Sequence, residues 1–175
     1  MTGPTITPDT KDWTWVLDRP CPDCGFDAAA VDARRTGDLV RDNARRWVTV
    51  LQRDGATARP SPEVWSPTEY AAHVRDVHLI FAERLGLMLT QADPLFANWD
   101  QDETAVAERY DLQRPEDVSP ALVAAADAAA DAYDRVADDQ WSRTARRSDG
   151  ASFTVDTFAR YHLHDVVHHV WDVRG

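Results

Sequence analysis

The sequence predicts an all-α fold, a four-helix bundle with long crossover connections. Four separate stretches repeat apolar residues at three- and four-residue steps, and proline-containing segments separate them. Size agrees with this prediction, because 175 residues suffice for one domain with its own core but are few for two. With 43% hydrophobic residues and seven tryptophans, the chain is expected to fold rather than stay disordered.

The first two helices are indicated by their apolar stripes and by one strong start signal. The stripe of the first helix ends before Gly55 and consists of Leu39, Val40, Trp47, Val50 and Leu51. The second helix begins after Ser66, an N-cap residue followed by Pro67 at the first helical position and by Glu69, which completes a capping box. Its stripe comprises Tyr70, His73, Val74, Val77, Phe81, Leu85 and Met88.

The second half of the chain is expected to hold two more long helices. Ser119 and Pro120 would open the third, after a short helix at "ETAVAERY" and a loop at "DLQRPEDVSP". The stretch "RTARRSDGASF" predicts a small hairpin, and Thr154 caps a last helix that runs to the C-terminus. We therefore divide the chain into a tail with an irregular Cys-x-x-Cys segment, residues 1–33, and the bundle, residues 34–175.

The net charge of −11, from 19 basic and 30 acidic residues, argues against two classes of partner. Such a surface repels the phosphates of nucleic acids and the headgroups of anionic lipids. No apolar run is long enough to span a membrane, and the N-terminus lacks the pattern of a signal peptide. We expect a cytoplasmic protein that acts on a small-molecule substrate, with neither nucleic acid nor membrane as partner, and a homodimer remains open.

Four of the six histidines lie in "YHLHDVVHHVWD", residues 161–172, and a helical wheel separates them into two groups. His162 and His169 fall on the side of the apolar cluster, with Asp165 a little further round. His164 and His168 fall nearly opposite and are expected to face solvent. Asp165 and His169 lie four residues apart on one face, which is the spacing that lets two side chains hold one ion.

The second helix supplies a candidate for the third ligand. His73 lies on its apolar stripe, and Asp76, one turn away, could orient the imidazole from behind. A single histidine on such a stripe is more commonly a hydrogen-bonded core residue, so the metal interpretation depends on the three residues together. His73, Asp165 and His169 are predicted to converge inside the bundle. If the wheel were off by one residue, the set would be His73, His164 and His168.

Two stretches resemble the DinB-like superfamily of four-helix bundles, which includes thiol-dependent S-transferases and mycothiol-dependent maleylpyruvate isomerases. The stretch "WSPTEYAAHVRDVH" opens with Trp-Ser and has His73 eight residues on, and "YHLHDVVHHVWDV" resembles the last-helix motif. The terminal pair Asp172-Val173 sets the register, so the resemblance implies that His169 is the matched histidine and Asp165 its partner. Many members have His at the Asp165 position, and the maleylpyruvate isomerase branch has Glu. The resemblance covers roughly residues 34–173.

Two imidazoles and one carboxylate leave coordination positions open, as in a catalytic site. Zn²⁺ is the cation we expect, with Ni²⁺, Mn²⁺ or Fe²⁺ as alternatives. Such a site can lower the pKa of a bound water or thiol. The resemblance implies a low-molecular-weight thiol such as mycothiol, and hence an S-transferase or isomerase that acts on a small electrophile. The alternatives are a metal-dependent hydrolase and a non-catalytic bundle that binds a metal or small ligand. His162 is the candidate general acid–base residue.

The stretch "PCPDCGFD" has Cys21 and Cys24 three residues apart, which resembles half of a zinc ribbon. Three interpretations stay open: a redox pair, a half-site completed by histidine or by the mate in a dimer, and a tight turn with inert thiols. The inert turn is favoured, because the neighbouring aromatic residues suggest packing onto the bundle. The bundle itself is expected to keep its fold when the metal is lost.

Overall fold

The computed structural model describes residues 6–175 and consists mainly of four long helices. In chain order the helices are α1 (Thr36–Leu51), α2 (Pro67–Thr90), the short α3 (Gln101–Ala107), α4 (Pro115–Asp134) and α5 (Val155–Asp172). Helix α4 packs against α1 and α2, and α5 packs against other sides of the same two helices. Helices α4 and α5 therefore lie on opposite sides of the bundle and are joined by a long crossover, which confirms the predicted fold class.

The start of α2 is fixed by the predicted capping box. Ser66 Oγ accepts a hydrogen bond from the Glu69 N–H at 3.2 Å, and Glu69 Oε2 accepts one from the Ser66 N–H at 2.8 Å. The guanidinium of Arg59, from the preceding loop, forms an ion pair with the same carboxylate at 2.5 Å. These bonds satisfy amide groups that the first turn leaves without partners, so α2 begins at Pro67.

Helix α4 begins five residues earlier than the sequence predicted. The stretch expected to be a loop before Pro120 is helical from Pro115, and Pro120 lies inside the helix. Pro115 occupies the first helical position, where a missing N–H costs nothing, and Glu116 and Asp117 complement the positive helix N-terminus. Pro120 follows closely enough to remove only one intrahelical bond near this end, and the helix continues through it.

A three-stranded sheet occupies the connections beside the bundle. The predicted hairpin is present as β2 (Thr144–Arg147) and β3 (Ser152–Thr154), which pair antiparallel. A two-residue strand (Leu95–Phe96, β1), in a stretch predicted to be a loop, pairs parallel with β2. At the turn between β2 and β3, Gly150 has a φ of +97°, a conformation that side chains disfavour. The sheet brings Arg147 beside Tyr161 of α5.

The irregular segment of residues 13–35 packs along α5 instead of trailing away from the bundle. It contains three short 3₁₀ turns, at Trp13–Leu17, Ala28–Ala30 and Ala33–Arg35. Arg160 of α5 donates hydrogen bonds to the carbonyl oxygens of Ala28 and Val31. In the described part of the chain, no helix is both long enough and apolar enough to cross a membrane.

Candidate metal centre

His73, Asp165 and His169 lie together between α2 and α5. Each offers one donor atom, and the three atoms lie within 4.8 Å of one another. Asp165 Oδ1 is 3.5 Å from His169 Nε2 and 3.9 Å from His73 Nε2. The two imidazole rings are nearly perpendicular, with centroids 4.7 Å apart. The arrangement gives two nitrogens and one oxygen that face a common point.

The imidazole of His73 is held between two indole rings. The ring of Trp99 stacks on it with an interplanar angle of 3° and centroids 5.4 Å apart, and Trp65 lies at the same centroid distance on a tilted plane. Trp99 is itself fixed by a hydrogen bond from its Nε1–H to Thr104 Oγ1 at 2.7 Å. Because His73 is fully buried, these contacts leave its ring little freedom to rotate.

The donor atoms of this cluster lack the partners that buried polar atoms normally have. Among the described residues, neither ring nitrogen of His73 has a hydrogen-bond partner, nor does Asp165 Oδ1. Buried polar atoms without partners are costly, and a cation is one way to satisfy them. The residues therefore fit a divalent metal held by His73, Asp165 and His169. Three protein ligands leave at least one position for a substrate or water.

Asp172 orients the His169 ring. Its Oδ2 accepts a hydrogen bond from His169 Nδ1–H at 2.8 Å, which leaves Nε2 free to act as a ligand. In the sequence this aspartate served only to set the register of the motif. Its position three residues after His169 was the available signal for this orienting role.

The protonation tendencies of the three residues differ. Burial, together with the neighbouring His169, holds the pKa of His73 well below its ordinary value. Burial raises the pKa of the Asp165 carboxyl. Burial would lower the pKa of His169, but the hydrogen bond with Asp172 and the charge of Asp165 outweigh it and raise that pKa. At neutral pH, His73 is therefore unprotonated and can donate its lone pair to a cation.

A cavity of about 770 Å³ borders the cluster and is lined in part by Asp165, His169 and Tyr70. Arg84 and Arg147 contribute cationic groups to its lining. Arg84 is 9% exposed and donates to the Ala97 carbonyl oxygen at 2.8 Å. Within the described residues, no carboxylate lies within 4.0 Å of the Arg84 guanidinium, whereas Arg147 pairs with Asp149 at 2.7 Å. Sequence inspection missed both arginines: Arg84 lies on α2 six residues beyond the first motif, and Arg147 lies on β2, and neither belongs to a motif.

His162, the predicted acid–base residue, lies away from this cavity. It is fully buried, with Nε2 3.0 Å from His78 Nδ1 and Nδ1 3.2 Å from the Tyr133 hydroxyl. Its ring stacks on Phe81 with centroids 4.3 Å apart. Both nitrogens are engaged in the core, and the residue does not line the cavity, so its position corrects the predicted role.

Asp76 does not orient His73, contrary to the prediction. Its carboxylate accepts hydrogen bonds from the Tyr110 hydroxyl and from Arg75 Nε, the latter at 2.8 Å. Two strong donors therefore occupy this carboxylate, while the nitrogens of His73 stay without hydrogen-bond partners among the described residues.

The expectation that His164 and His168 face solvent is wrong. They are 3% and 9% exposed, because residues 13–35 cover this side of α5. Trp13 packs on both rings, and Phe26 packs on His164. One donor atom from each histidine and the thiols of Cys21 and Cys24 lie within 4.8 Å of one another. Both cysteines are free, and burial raises the pKa of Cys24 to about 11.

Comparison with known proteins identifies the family to which this chain belongs. The sequence profile of the DinB superfamily matches residues 37–173, so the chain belongs to the DinB superfamily, which confirms the resemblance drawn from the motifs. A search of curated protein sequences finds no match.

Among solved structures, the chain is similar to YfiT from Bacillus subtilis, described as a probable metal-dependent hydrolase with an unusual four-helix bundle topology. The TM-score is 0.69 at 15% sequence identity, and the match covers 81% of this chain and 85% of YfiT. At that identity the likeness shows the shared fold.

Proposed function

We propose that this protein is a metal-dependent enzyme that transfers a low-molecular-weight thiol to a small, anionic electrophile or uses the thiol to isomerise it. The observation that carries the proposal is the set formed by His73, Asp165 and His169. Within the part of the chain that the structure describes, His73 and Asp165 have donor atoms without hydrogen-bond partners, and Asp165 and His169 line a large cavity. These residues would hold a divalent cation, with Zn²⁺ the expected one, which would lower the pKa of a bound thiol so that it could act as a nucleophile at neutral pH.

The size of the cavity is sufficient for two small reactants. Pockets of about 300–1,000 Å³ hold drug-sized ligands, and the volume here is about 770 Å³. Water as the nucleophile would need far less room beside a small substrate. A cofactor thiol and an electrophile together would make fuller use of this space.

Arg84 supports an anionic group on one of the reactants. Burial lowers the pKa of Arg84, which reflects the cost of holding this cation away from water. A carboxylate or similar group on the substrate would offset that cost and would be oriented by the planar guanidinium. Arg147, on β2, lines the same cavity but is already paired with Asp149 at 2.7 Å, so the anion-binding role falls to Arg84.

Two further polar residues near the centre, Tyr70 and Asp172, would bind a reactant and orient a ligand, respectively. The hydroxyl of Tyr70 keeps its proton, because burial raises its pKa to about 12, so it can donate a hydrogen bond to a bound reactant. Its ring also packs on His169, with centroids 5.4 Å apart. Asp172 holds the His169 ring in one tautomer through the Nδ1–H bond.

Hydrolysis is the second candidate, and one observation favours it. The structurally similar YfiT is described as a probable metal-dependent hydrolase, and the same open position could bind water instead of a thiol. The two candidates share the metal ligands and differ in the nucleophile.

The experiment is a matched assay of protein loaded separately with Zn²⁺, Ni²⁺, Mn²⁺ and Fe²⁺. Each form is incubated with small electrophiles that carry a carboxylate, with and without a low-molecular-weight thiol. The products are identified by mass spectrometry. A thiol adduct, or an isomer formed only when thiol is present, supports the proposal. Cleavage of the electrophile into two products that together contain one added water, without thiol, would assign hydrolysis instead.

Two aspartate variants provide the control. Asp165→Asn removes the anionic ligand and should reduce turnover at least 100-fold, whereas Asp139→Asn changes an exposed aspartate away from the cavity and should leave turnover unchanged. Equal activity in the two variants, or no turnover by any metal form, would rule out an enzymatic role for this centre.

A further inference from the structure

We propose that Cys21, Cys24, His164 and His168 form a second metal site, a closed Cys₂His₂ zinc site that fastens residues 13–35 to α5. This inference is independent of the proposed enzymatic function, because it concerns different ligands and a different role. Sequence inspection left such a half-site completed by histidine as one of three interpretations of the cysteine pair.

The four donor atoms lie close together, and one pair has the separation found in tetrahedral zinc sites. All four lie within 4.8 Å of one another, and Cys21 Sγ is 3.6 Å from His168 Nδ1. Zinc binds sulfur at about 2.3 Å and nitrogen at about 2.0–2.1 Å, which in a tetrahedron puts sulfur and nitrogen about 3.6 Å apart. The pair is therefore already at the spacing of bound ligands.

The two halves of the site come from local structures that suit zinc ligands. In the Cys-Pro-Asp-Cys-Gly turn, the Gly25 N–H donates to the Cys21 carbonyl oxygen at 2.9 Å, and the Cys21 N–H donates to the Phe26 carbonyl oxygen at 2.8 Å. Gly25 has a φ of +74°, which allows the chain to reverse after Cys24. His164 and His168 are one helical turn apart on α5, so both rings point towards the turn.

The burial of the ligands and the contacts behind them match those of structural metal sites. Cys21 and His164 are 1% and 3% exposed, and His164 Nε2 has no hydrogen-bond partner in the described part of the chain. The second nitrogen of His168, Nε2, lies 3.8 Å from Asp172 Oδ1. A carboxylate behind a ligating imidazole fixes its tautomer and raises its basicity.

Four protein ligands leave no open position, so the site is structural rather than catalytic. Two thiolates favour Zn²⁺ over the harder cations, and binding would release the two thiol protons to solvent. Segment 13–35 has few regular hydrogen bonds of its own, and a shared ion would join it to the last helix of the bundle.

The first test counts metal in purified protein. Wild-type protein should hold two zinc ions per chain, and Cys21→Ser and His164→Ala should each hold one. His73→Ala should also hold one, because it removes the other site. Asp23→Asn, which changes the exposed residue between the two cysteines, is the matched control and should keep two.

The second test uses wild-type protein and does not depend on whether a variant folds. Protein reconstituted with Co²⁺ should show thiolate-to-cobalt charge-transfer absorption with the intensity of two thiolates, which the His-Asp-His centre cannot produce. Absence of this absorption would overturn the proposal. So would the finding of no titratable thiols after the unreduced protein is unfolded in excess chelator, which would assign Cys21 and Cys24 to a redox pair.

Discussion

Asp172 contacts histidines of both candidate sites, since its Oδ2 bonds His169 Nδ1–H and its Oδ1 lies 3.8 Å from His168 Nε2. A carboxylate in this position usually strengthens metal binding by the histidine it orients. Its removal should therefore weaken the metal centres without removing a ligand.

We expect Asp172→Ala to weaken metal binding at the His-Asp-His centre by about 10–100-fold, because the His169 ring loses its fixed tautomer. Asp172→Asn keeps a hydrogen-bond acceptor but no charge and should fall between Ala and wild type. The affinity is measured by competition with a chromophoric chelator. Asp139→Asn, which removes an exposed charge, serves as the control, and a wild-type affinity in Asp172→Ala would contradict the orienting role.

Arg84 is the residue that should determine the preference for anionic substrates. Replacing it with Gln removes a buried cation for which the described residues offer no carboxylate. For an anionic substrate we expect KM to rise about 10–100-fold with a smaller change in kcat, on the basis that a charged hydrogen bond contributes about 1.5–3 kcal/mol. A neutral analogue of the same substrate is the control, and its KM should change little in the variant. An equal loss for both substrates would indicate a structural role for Arg84.

At the scale of single elements, the start of α2 depends on the carboxylate of Glu69. Burial alone would raise its pKa, but the hydrogen bonds from Arg59 and Ser66 outweigh burial and lower it below the ordinary value of 4.5. A lowered pKa in the folded state means that the ionised form stabilises the fold. This contribution is complete above the ordinary pKa and is lost as the pH falls through the lowered one.

Glu69→Gln should therefore reduce the free energy of unfolding at pH 7 by about 1–3 kcal/mol and flatten its decline below pH 4.5. Urea unfolding at a series of pH values measures both effects. Glu83→Gln changes an exposed glutamate on the same helix and should be nearly neutral. If Glu69→Gln lost stability with pH as steeply as wild type, the acid sensitivity would come from other carboxylates.

Helix boundaries show what the sequence could and could not reveal about elements. Ser66 and Thr154 were found because capping is a local interaction, read from three or four consecutive residues. The start of α4 was missed because Pro120 looked like an opening residue, whereas Pro115 takes that position. Strand β1 was missed because two residues carry no periodicity, and its partner lies about fifty residues away.

At the scale of the whole molecule, the wheel of α5 was right about the apolar arc and wrong about the opposite face. A helical wheel shows which face of a helix is apolar. It does not show whether another segment of the chain packs on the polar face. Residues 13–35 cover His164 and His168, and no local pattern could reveal how this segment aligns with the helix. The position of His162 in a core network with Tyr133 depended likewise on a distant residue.

Removal of metal should leave the bundle folded, because its core is large and apolar without any ion. We expect the helical circular dichroism of the chain to persist in excess chelator. The midpoint of thermal unfolding should fall, since a ligand at 1,000 times its Kd stabilises the native state by about 4.1 kcal/mol. Amide hydrogen exchange should rise mainly in residues 13–35. Loss of helical signal throughout the chain would show that the core depends on the metal.

Helix α5 carries two donor pairs that are offset by a single residue, 164 with 168 and 165 with 169. Neighbouring side chains on a helix diverge by about 100°, so each pair joins a different donor cluster. The rotation of α5 about its own axis is therefore constrained by two donor clusters at once. Deleting one residue from its first turns would swing both pairs out of alignment together, and the thiols would meet the carboxylate pair instead.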